Sequence, residues 1–153
     1  YRASNAGVKI ELVVRGVCCL RPGILGVSDN IQVRSVMGRF LEHPRVFYFY
    51  NNNNEELYCS SADWMPRNFF RRVEVAFPIL DPQLRARVRH EAFEIYWQDN
   101  TQAWVLDATG HYERLHPAAW ELPLSAQQSL MDTWGEDGQQ QARLMGEHSS
   151  SMH

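Results

Sequence analysis

Between Val46 and Ser60 the chain reads VFYFY, then NNNNE, then ELYCS: two β-prone runs separated by four consecutive asparagines. Aromatic and β-branched side chains favour a pleated, half-buried surface. Asparagine tolerates the left-handed backbone that a tight reversal requires. The segment therefore predicts a hairpin, with strands over Val46 to Tyr50 and Glu56 to Ser60 and a turn over Asn51 to Asn54. A hairpin also fixes its flanks. His43 and Arg45 enter the first strand, and Ser60-Ser61-Ala62-Asp63 leaves the second beside them.

The rest of the chain supplies a scaffold. Tyr1 to Ala6 reads as the last turn of a helix stopped at Gly7, as though an N-terminal portion of the domain precedes it. Val8 to Arg15 reads as a buried strand, Gly16 to Asn30 as a loop rich in breakers, and Ile31 to Val36 as an alternating strand. Met37 to Glu42 is expected to form a short helix that ends at His43, because Pro44 disfavours helical geometry in the residue before it. Val73 to Phe77 reads as another strand, and Asp81-Pro82 opens the clearest helix, with Asp81 as N-cap and Pro82 in the first turn. Leu84, Val88, Ala92, Phe93 and Ile95 recur along it at helical spacing.

Trp104 to Leu106 and Tyr112 to Leu115 read as a second small hairpin, and Gln127 to Trp134 as a helix. After Gly135 the composition turns polar, as in a disordered tail. The expected organisation is one α/β domain with a mixed sheet flanked by helices over residues 1–124, followed by a helix and polar tail over 125–153.

At 153 residues the chain has room for one domain. No apolar run reaches the roughly 18 residues needed to span a bilayer, and the first residues lack a basic region and cleavage site. A cytoplasmic location is the expectation, with peripheral membrane association left open. Cys18, Cys19 and Cys59 are odd in number and without framework or metal-ligand spacing, so buried, reduced thiols are expected and no protein metal site. The net charge of −3 conceals a bias among the cations: lysine occurs once, at Lys9, while eleven arginines fall between Arg15 and Arg89. Arginine's planar fork matches phosphate where lysine offers a point charge. The bias fits an anionic ligand, and equally a plain preference for arginine on the surface.

Three residues stand out as chemistry. Arg15 lies at the carboxyl end of a strand and is followed by Gly16, where α/β sheets bind ligands. His43 and Arg45 alternate onto one side of an extended chain, and an imidazole there can donate to or accept from a phosphoryl oxygen. Ser60, Ser61 and Asp63 are small or polar groups at the opposing strand end, with Arg67 and Asn68 just beyond. Trp64 and Met65 serve as well in an N-capped turn as in a ligand contact. Neither a Walker-type loop nor GxGxxG occurs, and nothing reads as a nucleic-acid-binding motif.

Taken together, GVKIELVVRGVCCLRPG, SDNIQVRSVMGRFLEHPRVFYFYN and ELYCSSADWMPRN with RRVEVAFPILDP resemble the C-terminal catalytic domain of the bacterial polyphosphate kinase family, over about Tyr1 to Gln98. The resemblance implies a phospholipase-D-like α/β fold and a magnesium-dependent, reversible transfer of the ATP γ-phosphate onto polyphosphate. It implies a phosphohistidine intermediate carried by a preceding domain, with ATP/ADP and polyphosphate as partners and a homo-oligomer at full length. Arg15 matches the family's nucleotide-binding arginine and His43 its second active-site histidine. The magnesium ligands are expected outside this stretch.

In the wider phospholipase-D superfamily the pattern is His-x-Lys, a later Asp, and a small-residue step ending in Asn. Here it reads His43-Pro44-Arg45, with Tyr50 in place of the Asp and Ser60-Ser61-Ala62-Asp63 in the last step. These departures argue against phosphodiester hydrolysis. A phosphodiesterase half-site and a non-catalytic polyanion-binding module remain the rival readings.

Overall fold

The computed structural model describes residues 1–135; the polar tail expected after Gly135 lies outside the described residues. Its centre is β2 (Ile31–Val36), where Ile31 and Val33 are buried and Gln32 between them is exposed. That alternation is what a two-residue side-chain period produces. β1 (Ile10–Val13) lies parallel to β2, Ile10 opposite Ile31. β6 (Ala103–Leu106) pairs antiparallel on the other side of β2, and β7 (Tyr112–Arg114) closes the order β1-β2-β6-β7.

A parallel pair needs a long crossover, and the predicted loop after Gly16 provides it without a helix. The buried hydroxyl of Ser28 folds that loop back, donating to the Arg21 carbonyl at 2.7 Å and accepting from Ile24 N–H at 2.9 Å.

A second, antiparallel sheet has the order β3-β4-β5, from Val46–Phe49, Glu56–Ser60 and Ala76–Pro78. The predicted hairpin is its core. Asn51, Asn52 and Asn53 all adopt positive φ, between 44° and 67°, the conformation for which short polar side chains are tolerated. The α/β class and the mixed sheet, β1-β2-β6-β7, are as expected; the antiparallel sheet β3-β4-β5 is additional.

Helices fill the connections. α1 (Arg2–Asn5) ends at Gly7, whose φ is 86°. α3 (Pro82–Arg89) starts as predicted, with Asp81 Oδ1 accepting from Leu84 N–H at 2.8 Å. It continues through a wider π turn at His90–Glu94 into α4 (Ile95–Gln98). Only this last part is buried: Ile95 and Tyr96 pack with Val36 and Ala103, whereas Leu84 is exposed. A helix over residues 126–135, α5, covers the same cluster with Ala126 and Leu130. Its first turn is fastened by fully buried Asp99, whose Oδ2 accepts from Ala126 N–H at 2.8 Å.

Four expectations are corrected. Met37 to Glu42 is not helical. Met37 N–H bonds to the Gln102 carbonyl at 3.2 Å, and both polar groups of the Phe40 backbone bond to Gln127, which leaves little of the local ladder a helix would need. The strand predicted from Val73 begins only at Ala76: Val73 is fully exposed and Val75 N–H donates to Ser61 Oγ at 3.0 Å, in the stretch that follows α2 (Pro66–Arg71). That helix was read as a turn, although Pro66 sits at its start, where proline's missing N–H costs nothing. None of the cysteines is buried: Cys19 is exposed and Cys18 and Cys59 are half-buried, all free.

Candidate anion-binding site

The two sheets meet around a cavity of about 530 Å³, within the range of small-molecule sites. Its apolar wall includes Val13, Val36, Phe47, Phe93 and Tyr96. Arg15 lies two residues beyond the end of β1 rather than on it, with Gly16 in positive φ directly after. From there its Nη1 donates to the Glu42 carbonyl at 2.5 Å and meets His43 Nδ1 at 3.1 Å. On the far side of the ring, Arg45 Nη2 lies 2.8 Å from His43 Nε2. His43 is thus held between two guanidinium groups, one from the segment after β1 and one from the residue before β3.

That sandwich is incomplete as a hydrogen-bond network. Guanidinium only donates, and a neutral imidazole accepts at one nitrogen while donating from the other. One guanidinium must therefore face a ring N–H. An oxyanion beside the mismatched ring N–H would accept from it and from the guanidinium that faces it, and would remove the mismatch.

Asp63 fixes the second fork. Its Oδ1 accepts from Arg45 Nε at 2.9 Å and Nη2 at 2.8 Å. These bonds hold the carboxyl below its ordinary range, outweighing partial desolvation, with the charges of Arg45, His43 and Arg15 adding to the effect. The other carboxylates lining the cavity are engaged too. Glu11 pairs with Lys9 at 2.6 Å, and the Glu42 side chain turns to Gln127 at 2.6 Å.

The remaining candidates scatter. Arg67 stands 3.9 Å from Asp63 Oδ2, exposed at the start of α2. Ser60 Oγ accepts from Ala62 N–H at 3.1 Å, closing the strand end. Ser61 and Asn68 both turn to Glu74: Ser61 Oγ donates to it at 2.5 Å and Asn68 Nδ2 at 2.6 Å. These bonds hold the Glu74 carboxyl below its usual range, with Arg72 and Arg45 contributing less. Ser60, Ser61, Arg67 and Asn68 therefore shape the loop without lining the cavity, whereas Arg15, His43, Arg45 and Asp63 do line it. Trp64 stacks on Phe47 with ring centroids 5.6 Å apart and stays largely exposed at the rim. Glu42 and Tyr96 also reach the site, and the candidates drawn from the sequence omitted both.

Two guanidinium groups on one imidazole, beside an apolar pocket beyond the carboxyl end of a strand, mark the candidate site of an α/β domain, with donors of the kind that match oxyanions. The sequence comparisons narrow that class. The chain belongs to the polyphosphate kinase family: residues 1–127 match the model described as polyphosphate kinase C-terminal domain 2.

Relatives named polyphosphate kinase include one from Pseudomonas aeruginosa, 58% identical over 132 residues, 86% of this chain and 19% of that protein. One from Neisseria meningitidis is 53% identical over 88% of this chain and 20% of that protein. The crystal structure of polyphosphate kinase from Porphyromonas gingivalis superposes with a TM-score of 0.83 at 40% identity, over 91% of this chain and 21% of that one. The chain spans about a fifth of the length of these proteins. Among the described residues, no helix is long and apolar enough to cross a membrane.

Proposed function

We propose that this chain supplies the nucleotide-phosphate grip of an ATP:polyphosphate phosphotransferase, which moves the γ-phosphate of ATP reversibly onto polyphosphate. In this reading the attacking histidine, which becomes phosphohistidine, belongs to a preceding domain. The carrying observation is His43 held between Arg15 at 3.1 Å and Arg45 at 2.8 Å at one cavity. Phosphoryl transfer asks the protein mainly for positioning and charge stabilisation. When a triphosphate enters, the Arg15 fork swings from the Glu42 carbonyl and the ring onto phosphate oxygens. Arg45, braced by Asp63, keeps its direction, and the freed ring N–H of His43 donates to the transferring or leaving oxygen.

Magnesium would neutralise phosphate charge in such a reaction. Among the described residues no group of three or more His, Cys, Asp or Glu comes together, and Asp63 is bonded to Arg45. Magnesium favours carboxylate and phosphate oxygens in octahedral array, so these side chains do not fit a protein-borne magnesium site and no step here runs through the metal.

Calorimetry of the 153-residue chain with inorganic tripolyphosphate tests the reading. A charge-assisted hydrogen bond contributes ~1.5–3 kcal/mol, so Arg15→Ala is expected to weaken binding about ten- to a hundredfold. Arg15→Lys recovers little, since the fork is lost. Near wild-type affinity in Arg15→Lys contradicts the bidentate role. Indifference to His43→Ala, with a steep salt dependence, favours the plain polyanion-binding module instead.

A further inference from the structure

Behind His43 the loop over residues 37–42 has no regular structure, yet it carries the histidine and the carbonyl that Arg15 grips. What holds it comes from far along the chain. Gln127, in the first turn of α5 and only 5% exposed, reaches 87 residues back. Its Oε1 accepts from Phe40 N–H at 3.0 Å, and its Nε2 donates to the Phe40 carbonyl at 2.8 Å and to Glu42 Oε1 at 2.6 Å. The amide orientation follows from its partners, a donor on the oxygen side and two acceptors on the nitrogen side. The side chain thus takes the place of a neighbouring strand for Phe40 and clamps the residue immediately before His43.

Two neighbours complete the clamp. The buried Tyr96 hydroxyl bonds the Glu42 carboxylate; this contact and burial together raise the phenol above its ordinary range, burial being the larger cause. Gly38 leaves the room: a methyl there would land on the amide oxygens of Gln102 and Gln127 and 2.9 Å from Cδ of Gln127. The Glu42 backbone is thereby fixed while its carbonyl receives Arg15.

We propose that Gln127 is a positioning residue for the anion site, setting the Phe40–Glu42 backbone so that His43 and the Arg15 fork meet the same phosphate. The inference rests on the phosphate-site reading above. Among the described residues no hydrogen bond joins Gln127 to His43 or Arg15, and it acts through the backbone between Phe40 and Glu42.

The test is tripolyphosphate affinity of the 153-residue chain carrying Gln127→Met, which keeps the side chain's length and removes all three hydrogen bonds. The expected result is affinity about tenfold weaker, with faster exchange of the Phe40 amide proton. Gln128→Ala, an exposed neighbour on the same helix, leaves affinity unchanged. In an Arg15→Ala background Gln127→Met should cost much less than it does alone, because both losses fall on one network; a purely structural role predicts additive losses.

Gly38→Ala, which displaces the Gln127 amide without altering it, repeats the measurement if Gln127→Met does not fold. Wild-type affinity in folded Gln127→Met, or additivity with Arg15→Ala, overturns the inference while leaving the phosphate site standing. Failure of the unsubstituted chain to bind tripolyphosphate overturns the site reading itself, and the inference with it.

Discussion

The two sheets are built to different standards, and the site lies where they meet. The sheet β1-β2-β6-β7 carries a buried apolar cluster on each face. Val36 and Ala103 are packed under α4 and α5, and Ile31, Val33 and Leu106 under the crossover loop with Leu20. The sheet β3-β4-β5 buries a single large apolar side chain, Leu57. Around it Phe49, Tyr50, Phe69, Phe70 and Phe77 remain exposed, Phe70 at 83%.

What anchors the second sheet is largely polar and distant. Arg89 of α3 donates to Glu55 at 3.0 Å and Tyr48 at 3.2 Å, and lies over the Tyr48 ring. Buried apolar area supplies most folding stability, whereas partly exposed ion pairs supply little. The contrast places the better-packed scaffold beneath Arg15, whose fork is held by the Glu42 carbonyl and His43, and the looser sheet beneath Arg45, whose fork is braced by Asp63.

The contrast is most sharply exposed by Leu57→Ala. Large-to-small changes in a core cost about 2–5 kcal/mol, and with no second apolar anchor in this sheet the loss should fall in that range. Chemical denaturation measures it, and a change below about 1 kcal/mol would mean the second sheet is held by something else. Next in size, native-state hydrogen exchange should protect the β2 and β6 amides more strongly than those of β3, β4 and β5. Equal protection in both sheets would erase the distinction.

A smaller effect concerns pH. The Asp63 carboxyl is held below its ordinary range by Arg45, so the unfolded state binds its proton first and ν_U exceeds ν_N as pH falls. The pairing therefore contributes stability at pH values above the unfolded carboxyl pKa of about 3.9 and loses it as pH drops through the lower folded value. Carboxyl NMR should show Asp63 titrating below about 3.9, and Arg45→Ala should return it to the ordinary range. The smallest change is Phe70→Ser, which on an exposed face should stay within about 0.5 kcal/mol in thermal melts.

The same contrast explains what the sequence could disclose. The hairpin was legible because asparagine and β-branched or aromatic runs are local signals, and so was α3, whose Asp81-Pro82 start is a capping signature. The convergence of His43 and Arg45 followed from alternation alone, while bringing Arg15 to them needed the family resemblance. The 37–42 loop was not legible. Its residues carry nothing that forbids a helix beyond Gly38, and the competitor for the Phe40 backbone is Gln127, invisible at that separation. The division into two sheets was hidden for a similar reason: strand pairing is decided across distances that local periodicity does not reach. Ser61 and Asn68 were legible as polar groups of one loop, but their shared partner Glu74 gave no local sign of accepting from both.

In the proposed function, two guanidinium forks and one imidazole serve a single anion. Titrating the 153-residue chain with tripolyphosphate, while following the side-chain nitrogen resonances of Arg15, Arg45 and His43 together, tests it directly. All three should move along one saturation curve with one dissociation constant. Separate curves, or a His43 ring that stays fixed while either arginine responds, would contradict the shared site.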